Sequence, residues 1–488
     1  MHCLKLAFLV LTAACLPVLS VTAAQDDESA LRADKIALKA GRIITVLDEE
    51  IENGVILIDR GKIVEVGKDV EIPYDYWVMD MSDKVVFPGM VEAHTTRGID
   101  RTNESLPVVP FLSVYDAIDP SNLAFEDALR DGITTLLISQ GNNTVIGGMS
   151  RVVRPIGRTV DEMTLKAEAG LKLSASPMYG QDRLTQMAIL RETFRELEEY
   201  LGDLAESAYE KDLEKKGETI KLGPAAAREK GAALISDKDL DFRHKNLKRL
   251  ADGRLAAYVY CGAAMDVYNA VAFAEEHGFL KRTVFVLGSE CYKAVDLIKS
   301  TGRPVILEPS MIHRETDPLT GDETEVFVPL AFFEAGISFA VTTEPRDVYG
   351  LRYPWYQAAR LMRNGIPRET AIKAITITPA SIIGMGTRLG ALMPGYDATL
   401  LVLTGDPLES GTWVDKVMIG GRMVYEQEKD YRLKELLTGQ EQPVEPAPQG
   451  DQEEKAAEAE AAPGQAESAS EANKDAGKSQ EKAPPSGQ

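Results

Sequence analysis

Histidine is nearly absent from this chain, with five among 488 residues. A site built on several imidazoles therefore has little to draw on. Cysteine is equally sparse. Of four, Cys3 and Cys15 fall in the first 24 residues, leaving Cys261 and Cys291. Two cysteines cannot staple a chain of this length, so the disulfide framework of small secreted domains is excluded; buried thiols or a single bridge remain. Positive charge is in deficit, with 54 Lys and Arg against 76 Asp and Glu and a net charge of −22. No basic stripe exists for a phosphate backbone, which excludes nucleic-acid binding. Beyond the N-terminus no apolar run is long enough to span a bilayer, so an integral membrane protein is not expected.

What is present begins with "MHCLKLAFLVLTAACLPVLSVTAAQDDE": Lys5, an apolar run to about Val21, then small residues before charge. This reads as a signal peptide over residues 1–24, cleaved after Ala23 or Ala24, and implies export to the periplasm or the medium. Pro17 interrupts the run and argues against a membrane anchor. At the other end, residues 441–488 carry eleven acidic and four basic residues and no aromatic one. Such a segment buries too little apolar area to offset its ordering entropy and is expected to be disordered.

Between these ends the pattern changes twice. Residues 35–86 hold short alternating runs ("KIALKAGRIITV", "GVILIDRGKIVEVG", "YWVMDMSDKVV") split by turn residues, which predicts β structure. From His94 to about Gly384, strand-like runs such as "GITTLLIS", "GLKLSAS", "AAYVYC", "TVFVLG", "RPVILE" and "ISFAVTT" alternate with amphipathic helices. Strand–helix alternation over residues 87–386 predicts an α/β fold, a TIM-type (β/α)8 barrel. Residues 387–430 return to short strands, so both flanks are expected to join in one β-sandwich domain into which the barrel is inserted. Residues 184–250 interrupt the alternation. There Met187, Leu190, Phe194, Leu197, Leu201, Leu204 and Ala208 form a heptad stripe on one long helix. Packing along the barrel is the plainer reading of that stripe; contact with a second copy is the other.

"GVILIDRGKIVEVG" followed by "DKVVFPGMVEAH", then "ALRDGITTLLIS", "GIPRETAIKAITITPASIIGM" and "RLGALMPGYDATLLVLTGDPL", together resemble the amidohydrolase superfamily, especially its imidazolonepropionase-like members. The resemblance runs from about Lys35 to Glu426 and is weakest across the helical insertion. It implies a barrel hydrolase of C–N bonds in cyclic amides or related compounds that uses zinc or another divalent metal. Amide hydrolysis near neutral pH needs a hydroxide-like nucleophile, and a bound divalent ion supplies one by lowering its water's pKa from about 15.7 to about 7.

In the family the ion is held by His-x-His after the first strand, one His from each of two later strands, and a final Asp. Carried over residue by residue, His94 matches the first ligand, but Thr96 stands at the second. The later positions fall on Tyr260, Leu287 and Glu344. His2 lies in the signal, and His244 and His277 in helical stretches, so only His313 could join His94 at the mouth. The expectation is a lost metal site, no resident cofactor, and a pocket lined by His94, Thr96, Tyr260, Leu287 and Glu344.

Other roles can be set beside these. His94 and Glu344 are the candidates for any catalysis that survives, although a salt bridge from Glu344 to Arg97 or Arg346 is the plainer reading. Cys261 and Cys291, with a histidine and Glu344, could form a new soft metal site; ordinary buried thiols are preferred. Lys172 in "GLKLSAS" could match the carboxylated lysine of some relatives, or be a surface or paired lysine. "SQGNNTVIGG" reads as a pocket wall. The expected function is binding of a small molecule or an envelope protein at a retired active site, with a homo-oligomer open. The alternative is an active amidohydrolase with a rebuilt, metal-free site.

Overall fold

The computed structural model describes residues 34–219, 222–345 and 350–439. The segments expected to be a signal peptide and a disordered acidic tail, and Arg346, lie outside the described residues. The helix Tyr431–Thr438 belongs to a second unit, separate from the body that ends at Asp430.

Strands β1 (Lys35–Ile43), β2 (Ile51–Asp59), β3 (Lys62–Gly67) and β4 (Trp77–Pro88) open the chain. The barrel strands follow: β5 (Met90–Thr95), β6 (Ile133–Ile138), β7 (Ile146–Val153), β8 (Thr164–Ser174), β9 (Ala257–Cys261), β10 (Thr283–Leu287) and β11 (Val305–Leu307). After a hairpin of β12 (Ile312–Thr316) and β13 (Glu323–Phe327) comes β14 (Phe339–Val341); β15 (Leu400–Leu403), β16 (Val414–Ile419) and β17 (Arg422–Glu426) end the series. The first four and last three strands form one seven-stranded sheet in the order β17-β16-β15-β4-β1-β2-β3. The alternating runs at both chain ends therefore do meet. Their seam is β15 against β4, with Leu400 opposite Pro88 and Val402 opposite Val86. Period-two patterning puts Ile36, Leu38, Ile56, Ile58, Leu400 and Val402 into one buried cluster.

The eight-stranded sheet has the order β14-β11-β10-β9-β8-β7-β6-β5 and nearly closes. Its free edges are bridged by the segment at Ala374 and Ile375, whose carbonyls accept from Val341 N and Val91 N at 3.2 and 3.0 Å. One strand departs from eight parallel strands: β7 runs antiparallel to both neighbours. The reason is length. Only residues 139–145 separate β6 from β7, and a parallel crossover needs roughly a dozen residues or more.

Alternate residues divide between two cores. Val91, Ala93, Tyr258, Val284, Val286, Ile306 and Ala340 fill the barrel interior. Their neighbours Val259, Cys261, Phe285, Leu287, Leu307 and Val341 face the helix layer. Each fully buried Val, Leu or Phe contributes roughly 1.5–3 kcal/mol by leaving water.

The insertion holds three helices, Arg183–Lys216, Pro224–Ala232 and Lys245–Ala251, and the first, long one carries the whole heptad stripe. Asp182 caps the first by accepting from Thr185 N, and Gly217, in left-handed conformation, ends it. Met187, Leu190, Phe194 and Leu197 pack on the barrel's outer core as the sequence predicts. Beyond Leu201 the buried face shifts to Ala205, Tyr209 and Leu213, while Leu204 and Ala208 are only partly buried. A straight helix turns every 3.6 residues, so a 3.5-residue stripe drifts off its partner.

Candidate functional site

The C-terminal ends of the strands deliver a set of polar groups to one end of the barrel. β5 ends with His94 and Thr95, and β8 presents Lys172 toward the interior at the level of Tyr258. Tyr260 lies one inward position further along β9, and Glu308 follows β11 directly. Asn142 comes from the loop between β6 and β7. Gly147 lets β7 pass close to this point: a Cβ there would lie 2.6 Å from Gln140 Oε1 and 3.1 Å from Lys172 Cβ.

The geometry is a closed relay. Lys172, fully buried, has its Nζ 3.0 Å from His94 Nε2 and donates to Asn142 Oδ1 at 2.6 Å. Asn142 Nδ2 donates to Glu308 Oε1 at 3.2 Å. The Tyr260 hydroxyl interacts electrostatically with the Glu308 carboxylate, and its ring centre lies 5.5 Å from the Lys172 ammonium. Burial governs the titration of the set. It pushes Lys172 down to about 7, against the opposing pull of the Glu308 carboxylate. It pushes His94 well below the usual imidazole value, and the nearby lysine charge adds to that. It pushes Glu308 up, opposed by Lys172 and the Tyr260 hydroxyl and assisted by the charge of Glu344. Near neutral pH the imidazole is therefore neutral and the amine is poised between its two states.

The residues expected to line the pocket separate on inspection. His94, Thr96, Tyr260 and Glu344 are at this end of the barrel; His94 and Tyr260 belong to the relay, and Glu344 is exposed beyond β14. Leu287 is a correction. It is buried in the outer core because residues alternate along β10, and Val286 is the one that points inward. The pairing of Glu344 with Arg97 is a second correction. Arg97 is instead buried against Glu92 Oε2 at 3.2 Å and Asp131 Oδ2 at 3.8 Å, and donates to Thr343 Oγ1 at 3.2 Å. Lys172 is paired but not on the surface. Glu308 was missed, and Asn142 was expected only as part of a pocket wall. Their only signal was position: a carboxylate directly after "RPVIL", and a polar loop after "LLIS".

Cys261 and Cys291 are buried free thiols that face the helix layer, the Cys291 Sγ donating to Cys261 O at 3.1 Å. Burial raises both thiol pKa values. His313 sits on the β12–β13 hairpin, its Nδ1 3.2 Å from Ser289 Oγ. Among the described residues no three His, Cys, Asp or Glu side chains gather around a point that could hold a metal ion. A divalent ion needs around three protein donors. At the matched positions stand a hydroxyl, a phenol, an outward leucine and a single exposed carboxylate, Glu344, and the one imidazole faces the Lys172 amine. This donor set does not fit the ion.

Comparison with known proteins shows what the chain as a whole is similar to. Residues 325–425 match the family model described as "Amidohydrolase family". The chain is 22% identical over 413 residues to amidohydrolase tasK of Hapsidospora irregularis, covering 75% of this chain and 39% of that protein. It is 40% identical over 80 residues to the imidazolonepropionase of Chloroflexus aggregans, covering 16% of this chain and 18% of that one. Both matches span well under two thirds of these curated relatives. Among solved structures, an amidohydrolase from Thermotoga maritima is similar over 80% of this chain and 100% of its own, with 25% identity and a TM-score of 0.68.

Proposed function

Because the chain belongs to the amidohydrolase superfamily, we propose that it is an exported member whose barrel mouth binds a small molecule or an envelope protein without performing metal-dependent hydrolysis. The observation that carries this reading is the contact between Lys172 Nζ and His94 Nε2. The nitrogen that would face a cation is engaged by an amine. The rest of the relay has partners of its own, so nothing in it waits for an ion to complete it. A buried polar network of this kind holds side chains in one arrangement and suits recognition of a ligand's polar groups. Export rests on the N-terminal sequence alone.

The test is elemental analysis of the purified protein together with assays on lactams, hydantoins and imidazolones. The expected outcome is substoichiometric metal and no turnover. A stoichiometric divalent metal with measurable hydrolysis would end this reading.

A second reading is favoured by the amine itself. An amine brought down to about 7 is substantially uncharged at neutral pH and can act as base or nucleophile. The site would then be a rebuilt hydrolase centred on Lys172, His94, Glu308 and Glu344. This reading expects turnover that collapses in Lys172→Met and Glu344→Gln proteins; unchanged rates in both dismiss it. An uncharged amine can also take up carbon dioxide, as the carboxylated lysines of some relatives do. Intact-mass analysis in bicarbonate buffer would reveal that adduct.

A further inference from the structure

The opposite end of the barrel carries a feature that the mouth chemistry does not use. At the N-terminal ends of β8 to β11 and β14 lies a cavity of about 470 Å³, lined by Lys166, Lys281, Arg282 and Arg303 and by no carboxylate. In a chain with 76 acidic and 54 basic residues, four cations around one hollow without a counter-charge is a strong departure from expectation. Their neighbours behave as the composition predicts: Arg249 pairs with Glu168 at 2.7 Å and Arg254 with Asp237 at 2.8 Å. Among the described residues, none of the four lining cations makes an ion pair.

Three of them are held by backbone carbonyls instead. Lys166 Nζ donates to Ile383 O at 3.2 Å, Arg282 Nε to Gly253 O at 3.0 Å and Arg303 Nε to Thr283 O at 3.3 Å. These bonds fix the direction of the side chains without neutralising them. The cations also feel one another: after burial, the charge of Arg282 is what lowers the pKa of both Lys166 and Arg303. Repulsion of this kind is relieved when an anion enters. The hydroxyls of Ser338 and Ser381 stand on the same wall, and the floor is apolar, formed by Tyr258 and Val284 of the barrel interior.

Arginine forks and a lysine point charge around hydroxyls match the oxygens of a phosphate dianion. The cavity is much larger than a bare phosphate and falls in the range of sites for small organic ligands, about 300–1,000 Å³. We propose that this cavity binds a small phosphate monoester, its phosphate held by Arg282, Arg303 and Lys166 and its organic body laid against the apolar floor.

The test is calorimetric titration of the full chain with phenyl phosphate at constant ionic strength set by chloride. Saturable binding is expected in the wild type, weakened at least tenfold in Arg282→Glu and in Arg303→Gln, and unchanged in Lys172→Met at the other end of the barrel. Both substitutions alter surface-accessible side chains, and retention of the wild-type melting transition confirms folding. Absence of saturable binding overturns the proposal, as does binding that neither arginine substitution weakens or that only Lys172→Met abolishes. Inorganic phosphate binding as tightly as the ester would overturn the role of the floor. Co-sedimentation with phosphatidylcholine vesicles containing phosphatidic acid separates the sources of the head group. A soluble ester leaves the protein in the supernatant, whereas pelleting that Arg282→Glu abolishes would overturn the soluble ligand in favour of a lipid.

Discussion

At the scale of single residues, the chain departs from ordinary proteins chiefly where it buries charge. Burial brings the folded pKa of Lys172 down to about 7 from the ordinary lysine value of 10.5, so between those limits the unfolded chain binds more protons than the folded one. Stability must therefore rise with pH across that window as far as this group is concerned. Denaturant titrations at steps from pH 7 to pH 10 should show that rise in the wild type, and Lys172→Met should lose it. Arg97 makes a different case. Its side chain and that of Glu92 are each 1% exposed, and Asp131 beside them is raised to about 6 by burial despite Arg352 and Arg97. Arg97→Met leaves buried carboxylates without their cation and is expected to cost about 3–5 kcal/mol at pH 7. Lowering the pH to 5 should narrow the deficit, because a carboxylate whose folded pKa is raised gains protons on folding. A deficit that does not change with pH would show that lost packing, not charge, is the cause.

At the scale of elements, the helix Arg183–Lys216 serves two cores. Its first half inserts Phe194 among Phe273, Phe279 and the His277 ring, with centroids 4.5–6.0 Å apart. Phe194→Ala should cost about 3–5 kcal/mol of global stability, read by denaturant unfolding. From Ala205 onward it packs against the helix Pro224–Ala232, through Tyr209, Leu213 and Ala227. There Gly231 lies so close to Ala205 that a Cβ would fall 1.8 Å from its carbonyl oxygen. Gly231→Ala must push the shorter helix away. Hydrogen exchange should accelerate over 205–216 and 224–232 and stay unchanged over 183–197, because the damage is confined to the satellite core. Uniform acceleration would mean that the two halves unfold as one unit.

At the scale of the whole molecule, a sheet that joins both chain ends, a nearly closed barrel and its helix layer together resemble the amidohydrolase from Thermotoga maritima. The mouth of this barrel is held by contacts among Lys172, His94, Asn142 and Glu308. On the reading proposed above, a chelator should leave the melting temperature unchanged, since among the described residues no three His, Cys, Asp or Glu side chains gather to hold an ion. A fall of several degrees on adding EDTA to the purified protein would point to a bound structural or site metal. Charge works at the same scale. Against an acidic background of −22, the cationic hollow beneath the barrel is the place where an anion would gain most.

The order of strands and helices was legible in the residues because period-two and period-3.6 patterns are local, and so was the placement of the barrel between two β-rich flanks. The identities at the ligand positions were legible too: Thr96 and Tyr260 are covalent facts that no folding can alter. Other features had no local signature. The reversal of β7 depended on a loop length whose meaning appears only when β6 and β8 are both in place. The outward turn of Leu287 depended on strand parity counted from its partners. Lys172, His94, Asn142 and Glu308 come from four separate strand ends or loops, and the bonded pair Asn142 and Glu308 is 166 positions apart. Only closure of the sheet brings them within hydrogen-bonding distance, and only burial in that closed interior moves the lysine's pKa. Composition and periodicity chose the scaffold; the long-range contacts of the folded chain made its chemistry.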